Sequence, residues 1–141
     1  YNVKAQPTKE KAYAPRKGLH APDLISLLSL DEAEFRQRFR GSPILRAKRR
    51  GLLRNVAVAL GNTKSREAVP PLIQALDDRE SLVRGHVAWA LGQIGSPEAI
   101  RALEKRLDIE NDRAIRMEIE DAITEAKKPN PPKTDNAGPN S

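Results

Sequence analysis

Nine residues between Val56 and Leu76 return 31 positions later, and this internal repeat restricts the fold of the 141-residue chain more than any other feature. Val56-Ala57 returns as Val87-Ala88, Ala59-Leu60-Gly61 as Ala90-Leu91-Gly92, Ala68-Val69 as Ala99-Ile100, Leu72 as Leu103 and Leu76 as Leu107. With one residue inserted near Asp108–Asn111 the match continues at a spacing of 32. Val83, Arg84, Val87, Ala90 and Leu91 then meet Ile115, Arg116, Ile119, Ala122 and Ile123. Inside each unit, Leu52, Leu53, Val56, Ala57 and Leu60 share one face of a first helix. Val69, Leu72, Ile73 and Leu76 keep the i, i+3, i+4, i+7 spacing of a second. A lone helix pair cannot bury such a stripe, so the units must stack, and about three are needed for a stable array.

The pattern predicts an all-α solenoid of about two and a half repeats of 31–32 residues, and it resembles the short HEAT-like helical repeats. No stretch shows the alternation and turn dipeptides of a hairpin. Residues 1–22, with prolines at 7, 15 and 22 and no sustained periodicity, are expected to form an extended linker. Residues 23–51 are expected to form N-terminal capping helices with a basic patch. Phe35 and Phe39 share one face there, and Gly41-Ser42-Pro43 ends one helix and starts the next. Residues 52–127 hold the repeats, and residues 128–141, with prolines at 129, 131, 132 and 139, read as a disordered tail. Gly61, Gly92 and Gly95 each fit the end of a helix.

Composition removes whole classes of chemistry. The chain has no cysteine, hence no disulfide, no iron–sulfur ligation, no Cys-type zinc site and no thiol nucleophile. Its two histidines lie far apart; His20 has no partner by spacing, and His86 flanks the apolar stripe of a helix, as a surface or ligand contact or as simple solvated packing. Asp77-Asp78 and Glu118/Asp121 look like paired carboxylates but read as loop residues and a solvated helix face. No apolar run is long enough to span a membrane, and a cytoplasmic location is expected. The first residue is Tyr1 rather than Met, which suggests a piece of something longer. No enzyme is visible in these residues alone.

Charge points to a partner. The net charge of +6 hides an asymmetry: residues 1–66 carry fifteen Lys/Arg against five Asp/Glu, and residues 67–141 carry ten against fourteen. From Arg36 to Arg54 there are eight basic residues and no acidic one, the footprint of a polyanion-binding surface. Arg46, Arg49 and Arg50 fall on adjoining helix rows, Lys48 lies between them in sequence, and Arg54 is expected to open the next helix beyond Gly51. Guanidinium forks suit phosphate oxygens, and Asn55 beside them can reach a base edge or a ribose hydroxyl. Arg84 and His86 are expected to join this surface, His86 being the repeat equivalent of Asn55. Trp89 falls on nearly the opposite side from the apolar stripe of its helix and is expected to dock a missing domain.

Two runs carry a closer likeness. Phe35-Arg-Gln-Arg-Phe-Arg-Gly-Ser-Pro-Ile-Leu-Arg-Ala-Lys-Arg-Arg-Gly-Leu-Leu-Arg-Asn-Val-Ala-Val-Ala-Leu-Gly-Asn62 and Val83-Arg-Gly-His-Val-Ala-Trp-Ala-Leu-Gly92 resemble the C-terminal part of the epoxyqueuosine reductases. The resemblance covers about residues 1–107. Tyr1-Asn2 then corresponds to the Trp-Asn after the family's last cluster Cys-Pro, with Tyr in place of Trp, and Tyr13-Ala-Pro-Arg16 to its aromatic-x-Pro-Arg.

The resemblance implies a parent oxidoreductase that reduces epoxyqueuosine to queuosine at the tRNA wobble position with cobalamin and two [4Fe–4S] clusters. The cobalamin domain, the catalytic acid and the cluster cysteines would all precede this piece. The segment itself would bind no cofactor and have no turnover. It would hold the anticodon stem-loop as a monomer beside its missing N-terminal catalytic domains. Two other readings stay open: a protein–protein scaffold, which would bind through an apolar groove with weak salt dependence, and a bilin lyase. The latter usually needs more aromatic residues than the two Phe, two Tyr and one Trp present.

Overall fold

A computed structural model describes residues 21–129 as helices joined by short turns. The elements are α1 (Ala21–Leu27), α2 (Glu32–Arg38), α3 (Lys48–Thr63), α4 (Val69–Ala75), α5 (Ser81–Ile94), α6 (Pro97–Ile109) and α7 (Arg113–Lys127). Two 3-10 turns, Pro43–Ala47 and Arg66–Ala68, precede α3 and α4. Among the described residues there is no strand. The expectations for residues 1–20 and 130–141, including His20 and the tail, lie outside the described residues. Ala21 and Pro22, read from sequence as extended, already belong to α1.

Local chemistry sets the helix starts. Asp31 caps α2 by accepting from the Glu34 backbone N–H at 2.8 Å, while the Glu34 carboxylate accepts from the Asp31 N–H at 2.9 Å. The Phe35 and Phe39 rings meet at 5.4 Å. Gly41 takes φ +78°, and the Ser42 hydroxyl accepts from the Ile44 N–H at 3.1 Å to begin the first 3-10 turn. Ser96 caps α6 in the same way, with Pro97 in its first turn.

Repeat geometry follows from the 31-residue offset. The first helices of the units, α3, α5 and α7, lie side by side in one layer, and α4 and α6 pack behind them. Leu52, Leu53, Leu60, Leu72, Leu91, Leu103 and Ile119 are fully buried between the layers. Gly61 and Gly92 do not end their helices; they lie inside the last turns of α3 and α5. Of the three glycines read as helix ends, Gly95 alone does so, at φ +67°.

A different constraint holds Gly61 and Gly92. A Cβ at Gly61 would stand 2.9 Å from the Ala90 Cα, and one at Gly92 would stand 2.8 Å from the Ala122 carbonyl oxygen. Each glycine lets the next first helix approach backbone to backbone. Gly92→Ala is therefore expected to cost about 1–3 kcal/mol by forcing α5 and α7 apart. Gly51→Ala, whose Cβ meets little besides the Ala47 methyl at 3.3 Å, should stay within about 1 kcal/mol of the parent chain. Urea unfolding midpoints of the two variants check this.

Candidate nucleic-acid interface

The basic run lies on one continuous helix. α3 begins at Lys48, which has φ +67°, and runs through Gly51 to Thr63, so Arg54 sits in its second turn instead of opening a new helix. Successive residues on such a helix are turned by about 100°. Neighbouring cations therefore point to different places.

Arg46, Lys48 and Arg50 are exposed, and among the described residues none of them pairs with a carboxylate. Arg54 is half-buried, with its Nε donating to the Asn55 Oδ1 at 3.2 Å. All four stand in the 3-10 turn before α3 and in its first two turns. Asn55 and His86 occupy equivalent places on α3 and α5, both half-buried.

Two of the expected contacts have another task. Arg49 is turned inward, its side chain only 9% exposed. Its Nε donates to the Leu30 carbonyl at 2.7 Å, and its two terminal nitrogens grip the Asp78 carboxylate. Arg84 is equally committed: Nε and Nη2 each donate to Glu110 at 2.9 Å, and Nη1 donates to the Asp78 carbonyl at 2.9 Å. Most donors of both guanidiniums are thus committed inside the fold, a structural task that the reading of Arg49 and Arg84 as phosphate contacts did not include.

Sequence reasoning missed the acids that hold them. Asp78, read as a solvated loop residue, has a side chain 7% exposed, and Glu110 is 1% exposed. The two stand 32 residues apart, at equivalent points after α4 and at the end of α6. Each also accepts the backbone N–H two residues on, Glu80 at 2.9 Å and Asp112 at 3.1 Å. Glu110 takes a further donor, the Arg106 Nε at 3.0 Å, and Arg106 in turn reaches Asp77 at 3.1 Å.

Burial alone would raise both carboxyl pKa values, but the hydrogen bonds from Arg49 and the Glu80 N–H hold Asp78 below its usual value. Arg84, the Asp112 N–H and Arg106 do the same for Glu110. A carboxylate depressed in the folded state stabilises fully above its unfolded pKa, about 4, and loses that contribution as pH falls through the folded value. The thermal midpoint is thus expected to stay level from about pH 7 to pH 5 and to drop below about pH 4. A midpoint unchanged to about pH 3 would contradict the two depressed carboxylates.

The outer face of the first-helix layer changes character along the array. Asn55, Val58 and Asn62 of α3 give way to His86, Trp89 and Gln93 of α5, then to Glu118, Asp121 and Glu125 of α7. The face is thus uncharged on α3 and carries three carboxylates on α7. Trp89 is half-buried, against the Gly61 edge of α3, with one side open to a groove between the three helices. Among the described residues no three His, Asp or Glu side chains gather as a metal site, and no helix is long and apolar enough to cross a membrane.

Comparison with known proteins agrees with this geometry. The family model for HEAT repeats matches residues 43–124. The chain is 41% identical over 93 residues to the epoxyqueuosine reductase of Salmonella typhimurium, covering 66% of this chain and 24% of that protein. It is 43% identical over 96 residues to that of Xanthomonas campestris, covering 67% and 27% respectively. The chain spans about a quarter of the length of these curated relatives. A crystal structure of epoxyqueuosine reductase with a tRNA-Tyr epoxyqueuosine-modified tRNA stem loop superposes with a TM-score of 0.71 at 33% identity. That likeness covers 74% of this chain and 28% of the solved one.

Proposed function

The chain belongs to the HEAT-repeat family, and from that premise we propose that it is the stem-loop-docking array of an epoxyqueuosine reductase. Reduction of epoxyqueuosine to queuosine in tRNA would take place in the catalytic domains that precede it. The observation that carries the reading is the run of cations entering α3, of which Arg46, Lys48 and Arg50 are exposed and pair with no carboxylate among the described residues, in a chain similar to a protein solved with a tRNA stem loop. Arg46, Lys48, Arg50 and Arg54 supply phosphate contacts, while Asn55 and His86 on successive helices approach the loop. Arg49 and Arg84 serve indirectly, by fixing α3 and α5 relative to the loops behind them.

Cofactor chemistry does not route through this chain. It has no cysteine, so it supplies no iron–sulfur ligand, and the cobalamin and clusters implied by the resemblance would be held elsewhere. What the array contributes is orientation, a rigid layer that presents cations at fixed spacing. Binding of a labelled RNA anticodon stem-loop to the chain at low and moderate salt tests the reading. Affinity should fall steeply with salt as phosphate contacts release counterions. No binding at low salt by a helical sample would contradict it and leave the scaffold reading.

A further inference from the structure

The outer face of the α3, α5 and α7 layer holds a groove of about 500 Å³, within the range of sites for small organic ligands. Its walls are Val58 of α3, Leu82 and Trp89 of α5, and Ile115 of α7, with His86 and Glu118 at the rim. The His86 Nδ1 lies 3.0 Å from the Leu82 carbonyl oxygen. A carbonyl can only accept, so His86 Nδ1 carries the hydrogen it donates there. The Glu118 carboxylate offers two acceptors on the α7 side. Across its width the groove therefore runs from the apolar Val58 edge of α3, over the indole of Trp89, to the Glu118 carboxylate of α7.

We propose that this groove takes one unstacked nucleobase of the bound RNA, with its ring against Trp89 and its donor edge toward Glu118. Among the bases guanine fits best, because its adjacent imino and amino hydrogens can meet both carboxylate oxygens. Stacking on an aromatic side chain and an acceptor for exposed base edges are how proteins read single-stranded RNA loops. The assignment rests on the docking reading above and adds a base subsite to it.

Trp89 is the only tryptophan in the chain, so its emission reports on the groove alone. An end-labelled anticodon stem-loop is titrated into the chain, with RNA anisotropy and tryptophan emission read together. The same hairpin with abasic loop positions serves as comparison. The intact loop should raise anisotropy and quench Trp89 along one binding curve. The abasic hairpin should bind about 5- to 100-fold more weakly and leave the emission unchanged. Glu118→Gln should weaken the intact loop, whereas relief of simple charge repulsion would tighten it. Anisotropy that shows binding while Trp89 emission stays fixed for both hairpins overturns the base subsite and leaves docking intact. That is the result expected if a protein segment fills the groove. No change in either signal overturns both.

Discussion

Replacing Glu110 by alanine is expected to cost the array about 3 kcal/mol or more, the largest loss of stability for any single polar side chain in it. The carboxylate accepts four hydrogen bonds, two from Arg84, one from Arg106 and one from the Asp112 backbone, in a site almost closed to water. Removing it strands two guanidiniums, 14% and 15% exposed, where water can only partly replace the anion. The four donors come from α5, α6 and the start of α7, so both repeat units lose their shared anchor. In an array of about 100 residues such a loss lowers Tm by roughly 10 °C or more. Glu110→Gln keeps the shape and some acceptors and should lose about half as much. Thermal unfolding followed by helical circular dichroism decides the matter. A Tm within about 2 °C of the parent for the alanine variant would mean that the network is solvated and adds little.

Removing Lys48, Arg50 and Arg54 together is expected to weaken stem-loop binding about 100-fold at low salt without unfolding the chain. Three phosphate contacts, each a charge-assisted hydrogen bond, account for that magnitude. The slope of log affinity against log salt should flatten by about 2–3 units, since each contact carries about 0.7–0.9. Arg49→Ala should behave in the opposite way. It breaks the buried pair with Asp78 and frees the Leu30 carbonyl, so stability falls while the salt slope of any folded protein stays unchanged. If Arg49→Ala flattened the slope as much as Arg50→Ala, the inward placement of Arg49 would be contradicted.

The contrast between Arg49 and Arg50 also marks where the sequence is transparent and where it is not. The offset of 31 residues exposes the stacked units and their apolar faces, because burial periodicity along a helix is local. Val56, Leu60, Val87 and Leu91 are core positions for that reason alone. Which cation turns inward depends on where the helix begins. With Gly51 taken as a break, Arg49 has no phase relative to Leu53. With α3 continuous from Lys48, Arg49 lies one turn before Leu53 on the apolar face, and burial follows.

Arg84 is the same case, one turn before the buried Ala88. Their acids carried a signal in the repeat itself, since Asp78 and Glu110 share the offset of 32 and follow helices whose ends must be tied down. Gly61 and Gly92 offered two explanations, a helix end and a close crossing. Only the position of the next helix separates them, and that is a tertiary fact. On the interface side, the exposed cations Arg46, Lys48 and Arg50 were legible from charge patterning. The acids of α7, Glu118 and Asp121, were legible as a solvated helix face; that they continue the face of Asn55 and His86 emerges only when the three helices are laid side by side.

The claim that this array grips RNA through one edge of its first-helix layer is tested most directly by amide chemical-shift mapping with the isotopically labelled chain. Spectra are recorded as an unlabelled anticodon stem-loop is added at low salt. The largest changes are expected over residues 46–58 and 82–89, with α4 and α6 silent behind them. Changes centred on α4 and α6, or saturation by RNA with residues 46–58 unmoved, would contradict the account.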